Sequence, residues 1–180
     1  MNIVNVIRRV HLGTAFLKCI AVLLSYFFGS YVTGHFHEES EVIGAMLACT
    51  SAIVVLQDND LKNSLHNAWL RVLGTFIGAF IAWIYLLFYS FSVMGMVVAV
   101  FVLEIICMLL KVPDNGKMAT ITLAVVLLIS KEYPGLPPWE NGLLRFSEAA
   151  VGAGIGIFMV WTEFVFQRIW KRIKVSNKRV

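Results

Sequence analysis

Six long apolar stretches follow one another along the chain, and few polar residues interrupt them. Short segments with helix-breaking or charged residues separate them, for example at Gly34, Asp60, Ser90 and Pro134. A water-soluble helix keeps one polar face, whereas a helix surrounded by lipid is apolar on all sides. The pattern therefore predicts six transmembrane helices, over residues 15–32, 42–56, 72–88, 93–110, 118–129 and 146–166.

The composition agrees with a chain that lies almost entirely within a membrane. Hydrophobic residues make up 59% of the sequence and charged residues 14%, a more apolar balance than water-soluble domains have. We therefore expect an all-α integral membrane protein in the lipid bilayer, with residues 1–180 forming a single membrane domain with short basic tails. The formal charge of +4 is located at the ends of the apolar stretches, so we do not expect nucleic-acid binding.

The lysine and arginine residues indicate how the helices are oriented. Most of them fall in segments that share one side of a six-helix protein, namely Arg8, Arg9, Lys62, Arg71, Lys111, Lys117 and the basic residues between 168 and 179. The other side has the acidic residues Glu38, Glu39 and Glu41. Because cytoplasmic segments of membrane proteins are rich in lysine and arginine, both termini are predicted to be cytoplasmic. We expect a multi-pass protein of the plasma membrane, the inner membrane of a bacterium.

An internal similarity relates the two halves of the chain at an offset of 74 residues. Leu70–Arg71 aligns with Leu144–Arg145, and Gly78–Ala79 aligns with Gly152–Ala153. Three helices separate the copies, and because three is odd, the two halves would have opposite orientations in the membrane. This predicts a 3+3 inverted repeat, an arrangement found in many transporters.

The second and fifth apolar stretches are unusually short and occupy corresponding positions in the two halves. Short segments at matching positions point to a binding site or pathway near the middle of the membrane. Alternatively, polar flanking residues such as Ser40 and Thr120 simply extend each helix.

Charged residues inside apolar stretches are the strongest candidates for function, since each costs at least ~2.5–3.5 kcal/mol at the membrane centre. Glu104 is the deepest, and Glu148 lies one turn after Arg145. Both glutamates are candidates for a proton or coupling site, although Glu104 is equally well explained as a buried partner of Lys18 or of an arginine.

Arg71 and Arg145 are each followed by small residues at helical spacing. Small-residue faces pack against other helices, so an arginine on such a face points inward, although an arginine at a helix start can also reach the lipid headgroups. Two inward arginines would attract an anion. The candidates for an anion pathway are Arg71, Arg145, Thr75 and Lys18, and the candidates for close helix packing, within the subunit or across a dimer, are Gly74, Gly78, Gly152 and Gly156.

No pattern of residues predicts catalysis. The three cysteines lie singly in apolar stretches, and the four histidines are scattered in tails and loops. Sequence motifs of phosphate-binding loops, serine hydrolases and zinc proteases are absent from the sequence. We therefore expect no enzyme activity, no metal and no cofactor, and we expect any transport to be passive or ion-coupled.

The segment SLHNAWLRVLGTFIGAFIAW, residues 64–83, resembles the fusaric acid resistance (aromatic acid exporter) family and the related plant aluminium-activated malate transporters. The resemblance is carried by the motif Arg-x-x-Gly-Thr-x-x-Gly-Ala that begins at Arg71, and residues 145–156 are similar to the corresponding late helix of that family. The second, third and sixth helices are covered well, and the other three only by their hydropathy.

The resemblance implies a membrane transporter that exports aromatic or other carboxylate anions. In the plant relatives the subunits form dimers and positive residues line the anion path, which assigns that role here to Arg71 and, through the repeat, to Arg145. Members of the family commonly add a large cytoplasmic domain or a second membrane half. Because this chain ends at Val180, we expect a homo-oligomer of two or more copies. A periplasmic adaptor stays open as a partner, and the alternative function is a non-transporting scaffold that binds a partner protein through its small-residue faces.

Overall fold

The computed structural model describes residues 12–57, 60–111 and 116–176. Within these ranges the chain is all-helical, which confirms the predicted structural class. The helices are α1 (Leu12–Phe36), α2 (Glu41–Val55), α3 (Leu61–Phe88), α4 (Val93–Leu109), α5 (Lys117–Glu132) and α6 (Pro138–Ser176), with a single turn of 3-10 helix, Glu38–Ser40, before α2. The basic residues Arg8, Arg9, Lys178 and Arg179, which contributed to the predicted orientation, lie outside the described residues.

Three of the helices have the length and composition needed to cross a membrane. They comprise residues Gly13–Phe36, Leu61–Phe88 and Pro138–Ile169. α4 is a shorter apolar helix of 17 residues. α2 has 15 residues and α5 has 16, so at 1.5 Å per residue they measure about 22–24 Å, against a hydrocarbon core of about 30 Å. The second and fifth helices are thus short, as the apolar pattern predicted.

Two helices begin well before the apolar stretches that predicted them. α3 starts at Leu61 and not at 72, and α6 starts at Pro138 and not at 146. Proline at the first helical position is favourable, because its missing N–H would have had no partner there and its backbone angle already suits a helix. The earlier starts place Arg71 and Arg145 inside their helices and not at the helix ends.

Large apolar side chains cover the outer surface of the bundle. Tyr31 is 75% exposed, Phe88 76% and Leu109 77%. In water, so many exposed aromatic and aliphatic side chains would be unfavourable, whereas in lipid they are well solvated. The surface therefore agrees with a multi-pass membrane protein.

α3 and α6 contact each other along the centre of the bundle, and the two short helices pack against them. α2 packs on α6, α5 packs on α3, and α1 lies against both α2 and α6. α4 contacts α5 and, less extensively, α3.

Glycines allow these helices to approach closely. A Cβ atom at Gly78 would overlap the carbonyl oxygen of Ala119 in α5, and a Cβ at Gly152 would overlap the carbonyl oxygen of Ala48 in α2. Gly74 likewise lies against α5, and Gly156 against α2. The structure therefore places all four glycines in contacts within one subunit, as small residues at membrane helix interfaces require.

Candidate functional site

Arg71 of α3 is buried and is held between the two short helices. Its Nε donates a hydrogen bond of 2.9 Å to Oγ of Ser51 in α2, and its Nη1 donates to Sδ of Met118 in α5 at 3.4 Å. The Ser51 hydroxyl in turn donates to the carbonyl oxygen of Leu47 at 2.7 Å. Both partners are neutral, so the positive charge of Arg71 has no acidic residue against it among the described side chains.

Arg145 of α6 is 1% exposed and faces one acidic residue. Its Nη1 lies 3.1 Å from Oε2 of Glu148, one turn further along the same helix, and Glu148 is fully buried. The two atoms are close enough for an ion pair but not aligned as a hydrogen bond. All three guanidinium nitrogens therefore lack a hydrogen-bond acceptor among the described residues. A buried guanidinium with unused N–H donors is a strong site for an anion.

Glu148 is tied to α1 by a hydrogen bond. The hydroxyl of Thr33 donates to Oε1 of Glu148 at 2.5 Å. Gly44 in α2 lies directly opposite, and a Cβ atom there would overlap both Oγ1 of Thr33 and the carboxylate of Glu148. The absence of a side chain at Gly44 is therefore what makes room for this contact.

Both arginines line the same small cavity, whose volume is about 10 Å³. The other residues that line it are Leu47, Thr75, Ile121, Thr122 and Val125. The hydroxyls of Thr75 and Thr122 are 3.5 Å apart, and each also donates to a backbone carbonyl one turn earlier in its own helix. The structure thus brings together Arg71, Arg145 and Thr75, three of the four residues predicted for an anion pathway.

Lys18 and Glu104, which the sequence also singled out, lie elsewhere. Lys18 lines a broad outer groove with Val22, Tyr26 and other residues of α1, and it does not line the arginine cavity. Glu104 accepts a 2.5 Å hydrogen bond from the hydroxyl of Thr120 in α5. Among the described side chains it forms no ion pair with Lys18 or with an arginine, so the prediction of such a partner was wrong.

A larger cleft of about 300 Å³ opens between α3 and α6. Aromatic side chains form its walls, namely Phe76, Phe80, Trp83, Trp139 and Phe146. No charged residue lines the cleft. In the part of the chain that the structure describes, there is also no group of three or more His, Cys, Asp or Glu side chains that could hold a metal ion.

Sequence reasoning named Glu148 but missed the hydroxyl residues around the buried charges, Thr33, Ser51 and Thr122. Thr33 and Glu148 are 115 residues apart, so no local spacing relates them. Ser51 and Thr122 are single hydroxyl residues in apolar stretches, and their only signal is that each lies on the face of a short helix that also carries alanines.

Comparison with known protein families identifies a family to which this chain is similar. A model of the fusaric acid resistance protein-like family matches residues 20–159, a range that includes both arginines and Glu148. Comparisons with curated proteins and with solved structures gave no match. The matched range covers well over half of the chain and confirms the resemblance to this family. The chain therefore belongs to the fusaric acid resistance protein-like family, a family of membrane transport proteins and not of enzymes.

Proposed function

We propose that this protein exports organic carboxylate anions, aromatic acids among them, across a bacterial inner membrane as a homo-oligomer. The observation that carries the proposal is that Arg71 from α3 and Arg145 from α6 line one cavity. A carboxylate between them would receive N–H donors from both guanidinium groups, which suit its geometry better than lysine does. The cost of burying two arginines in a membrane bundle also favours a functional reason for their presence.

The size of the cavity bears on the mechanism. A volume of about 10 Å³ holds about one water molecule, so no aromatic acid fits in this arrangement of the helices. Passage of a substrate requires the helices that line the cavity to move apart. The transport cycle would then alternate between a closed arrangement, such as this one, and an arrangement that opens towards one side of the membrane.

The arrangement of the cavity supports an inverted repeat. Leu47 and Ile121, which lie opposite one another in the repeat alignment, both line it, as do Arg71 and Arg145. The packing of α5 on α3 at Gly78 and Thr122 likewise corresponds to the packing of α2 on α6 at Gly152 and Ala48, because both pairs differ by 74 residues. In an inverted repeat with cytoplasmic termini, the two arginines would reach the cavity from opposite sides of the membrane.

The alternative function, a scaffold, relied on small-residue faces that would bind a partner protein. Gly74 and Gly78 contact α5, and Gly152 and Gly156 contact α2 of the same chain. These faces are already occupied, which favours transport over the scaffold.

The proposal is tested by efflux of hippurate, an aromatic carboxylate, from liposomes that contain the purified protein. We expect Arg71→Ala to slow efflux at least tenfold while the protein elutes from size-exclusion chromatography like the wild type. Lys62→Ala is the matched control, because Lys62 is an exposed cation on the same helix, and this variant should transport normally. An imposed pH gradient separates the two modes, since only a proton-coupled exporter accelerates with it.

Wild-type efflux equal to that of protein-free liposomes would overturn the transport function. Normal efflux from a folded Arg71→Ala variant would instead remove Arg71 from the pathway.

A further inference from the structure

The arginine cavity is part of a group of three charges with unequal signs. Arg71 is 5% exposed, Arg145 1% and Glu148 0%, and these are the only buried charged side chains among the described residues. With all three ionised, two positive charges and one negative charge leave a net charge of +1 in the core. No other acidic side chain among the described residues is paired with either arginine.

A net charge of +1 inside a membrane bundle is unfavourable until an anion compensates for it. A monovalent carboxylate between the arginines brings the group to neutrality. A divalent carboxylate leaves the group with a net charge of −1, which is as unfavourable inside the bundle as a net charge of +1. The number of acidic residues beside the arginines therefore determines which anion charge the site accommodates best.

Glu148 does not line the cavity, so it acts on the anion through Arg145 and through its own charge. Its carboxylate is fixed by the Thr33 hydroxyl and lies 3.1 Å from Arg145, which leaves it no room to move far from the site. We infer that Glu148 makes the arginine site selective for monovalent over divalent carboxylates. The inference rests on the proposed transport of carboxylate anions.

A purely structural role of Glu148 would predict a different result. If Glu148 only stabilised the fold, its loss would slow the transport of all anions in the same proportion. If it sets the charge of the site, its loss favours the divalent anion, because that anion experiences twice the change in electrostatic energy. One unit of charge within about 6–8 Å alters binding by at least about tenfold even at an effective dielectric constant near 20.

The experiment compares efflux of hippurate, which is monovalent, with efflux of terephthalate, which is divalent. Both are fully ionised at neutral pH, both are aromatic, and the membrane potential is clamped to zero so that their own charges do not bias the rates. Concentrations stay well below saturation. In the wild type we expect hippurate to leave faster, and in Glu148→Gln we expect the ratio of hippurate to terephthalate rates to fall about tenfold.

Glu163→Gln is the matched control. Glu163 is also in α6, and it also accepts a hydrogen bond from a threonine of α1, Thr14, but it lies 15 residues beyond Glu148. That separation corresponds to about 22 Å along the helix, which is too far to affect the cavity. This variant should keep the wild-type ratio.

A second variant changes the charge in the opposite direction and decides the matter if Glu148→Gln does not fold. Ser51→Asp places a carboxylate beside Arg71, because the Ser51 hydroxyl already accepts a hydrogen bond from Arg71 Nε. The net charge then becomes zero, and terephthalate efflux should fall more than hippurate efflux. A ratio within twofold of the wild type in a folded, transporting Glu148→Gln or Ser51→Asp variant would overturn the inference. Failure of the wild type to transport either anion would instead overturn the proposed function.

Discussion

Replacing Arg145 by methionine removes the only cation that is paired with Glu148 among the described residues. Glu148 is fully buried, and its Oε2 atom, 3.1 Å from Arg145, has no hydrogen-bond donor among the described residues. In the variant, the carboxylate keeps only its hydrogen bond from Thr33. A buried charge that loses its partner costs about 3–5 kcal/mol of unfolding free energy. For a chain of this length that cost lowers the melting temperature by roughly 6–20 °C.

The assay is thermal unfolding in detergent, followed by intrinsic tryptophan fluorescence. Arg145→Met combined with Glu148→Met should recover most of the lost stability, because apolar residues in place of a buried ion pair are often neutral or stabilising. Arg71→Met is the matched control, because it leaves no buried carboxylate without a partner. Loss of the hydrogen bonds from Arg71 to its neutral partners should lower the free energy of unfolding by only about 1.5–3 kcal/mol. The reasoning is refuted if Arg145→Met melts no lower than Arg71→Met, or if the double variant melts as low as Arg145→Met.

Three further substitutions test helix packing and one hydrogen bond between helices by the same melting assay. Gly44→Ala should lower stability by about 1–3 kcal/mol, because its new methyl group displaces the carboxylate of Glu148. Gly154→Ala has open space around its Cβ and should instead stabilise α6 by about 0.5–1 kcal/mol, and a Gly44→Ala variant as stable as this control would contradict the packing argument. Thr120→Val removes the hydroxyl that donates to Glu104, and we expect a loss of about 1–3 kcal/mol, so unchanged melting would mean that this hydrogen bond contributes nothing.

The apolar pattern predicted the helices well but missed the starting points of α3 and α6. Six apolar stretches correspond to α1–α6, because runs of apolar residues are the direct signature of lipid contact. Hydropathy, however, indicates only where an apolar stretch begins and ends. A helix can extend beyond that stretch as long as its backbone hydrogen bonds are satisfied. The polar segment Lys62–Asn67 therefore looked like a loop although it forms the first turns of α3.

The direction of the arginines, and Glu148 one turn after Arg145, were accessible from the sequence, whereas the contacts with residues of other helices were not. Gly74 and Gly78 follow Arg71 at helical spacing, and small residues mark the face of a membrane helix that packs on its neighbours. The hydrogen bond between Thr33 and Glu148 depends instead on the rotation of α1 relative to α6, which no periodicity encodes. Lys18 lines a different groove for the same reason, since depth in an apolar stretch does not specify the face on which a side chain lies.

The inequality of the two arginines follows from how two equivalent contacts between the halves of the proposed repeat are filled. A Cβ at Gly74 in α3 would come within 2.5 Å of Cβ of Met118 in α5, and at the corresponding positions of the other contact Gly44 in α2 lies opposite Glu148 in α6. Each contact thus sets one glycine against one long side chain, but the glycine is on the long helix in the contact of α3 with α5 and on the short helix in the contact of α2 with α6. The long side chain faces the nearby arginine in both contacts, as the neutral thioether of Met118 for Arg71 and as the carboxylate of Glu148 for Arg145. An acidic residue at position 74, the counterpart of Glu148, would collide with Met118, so close packing keeps a second carboxylate out of this position.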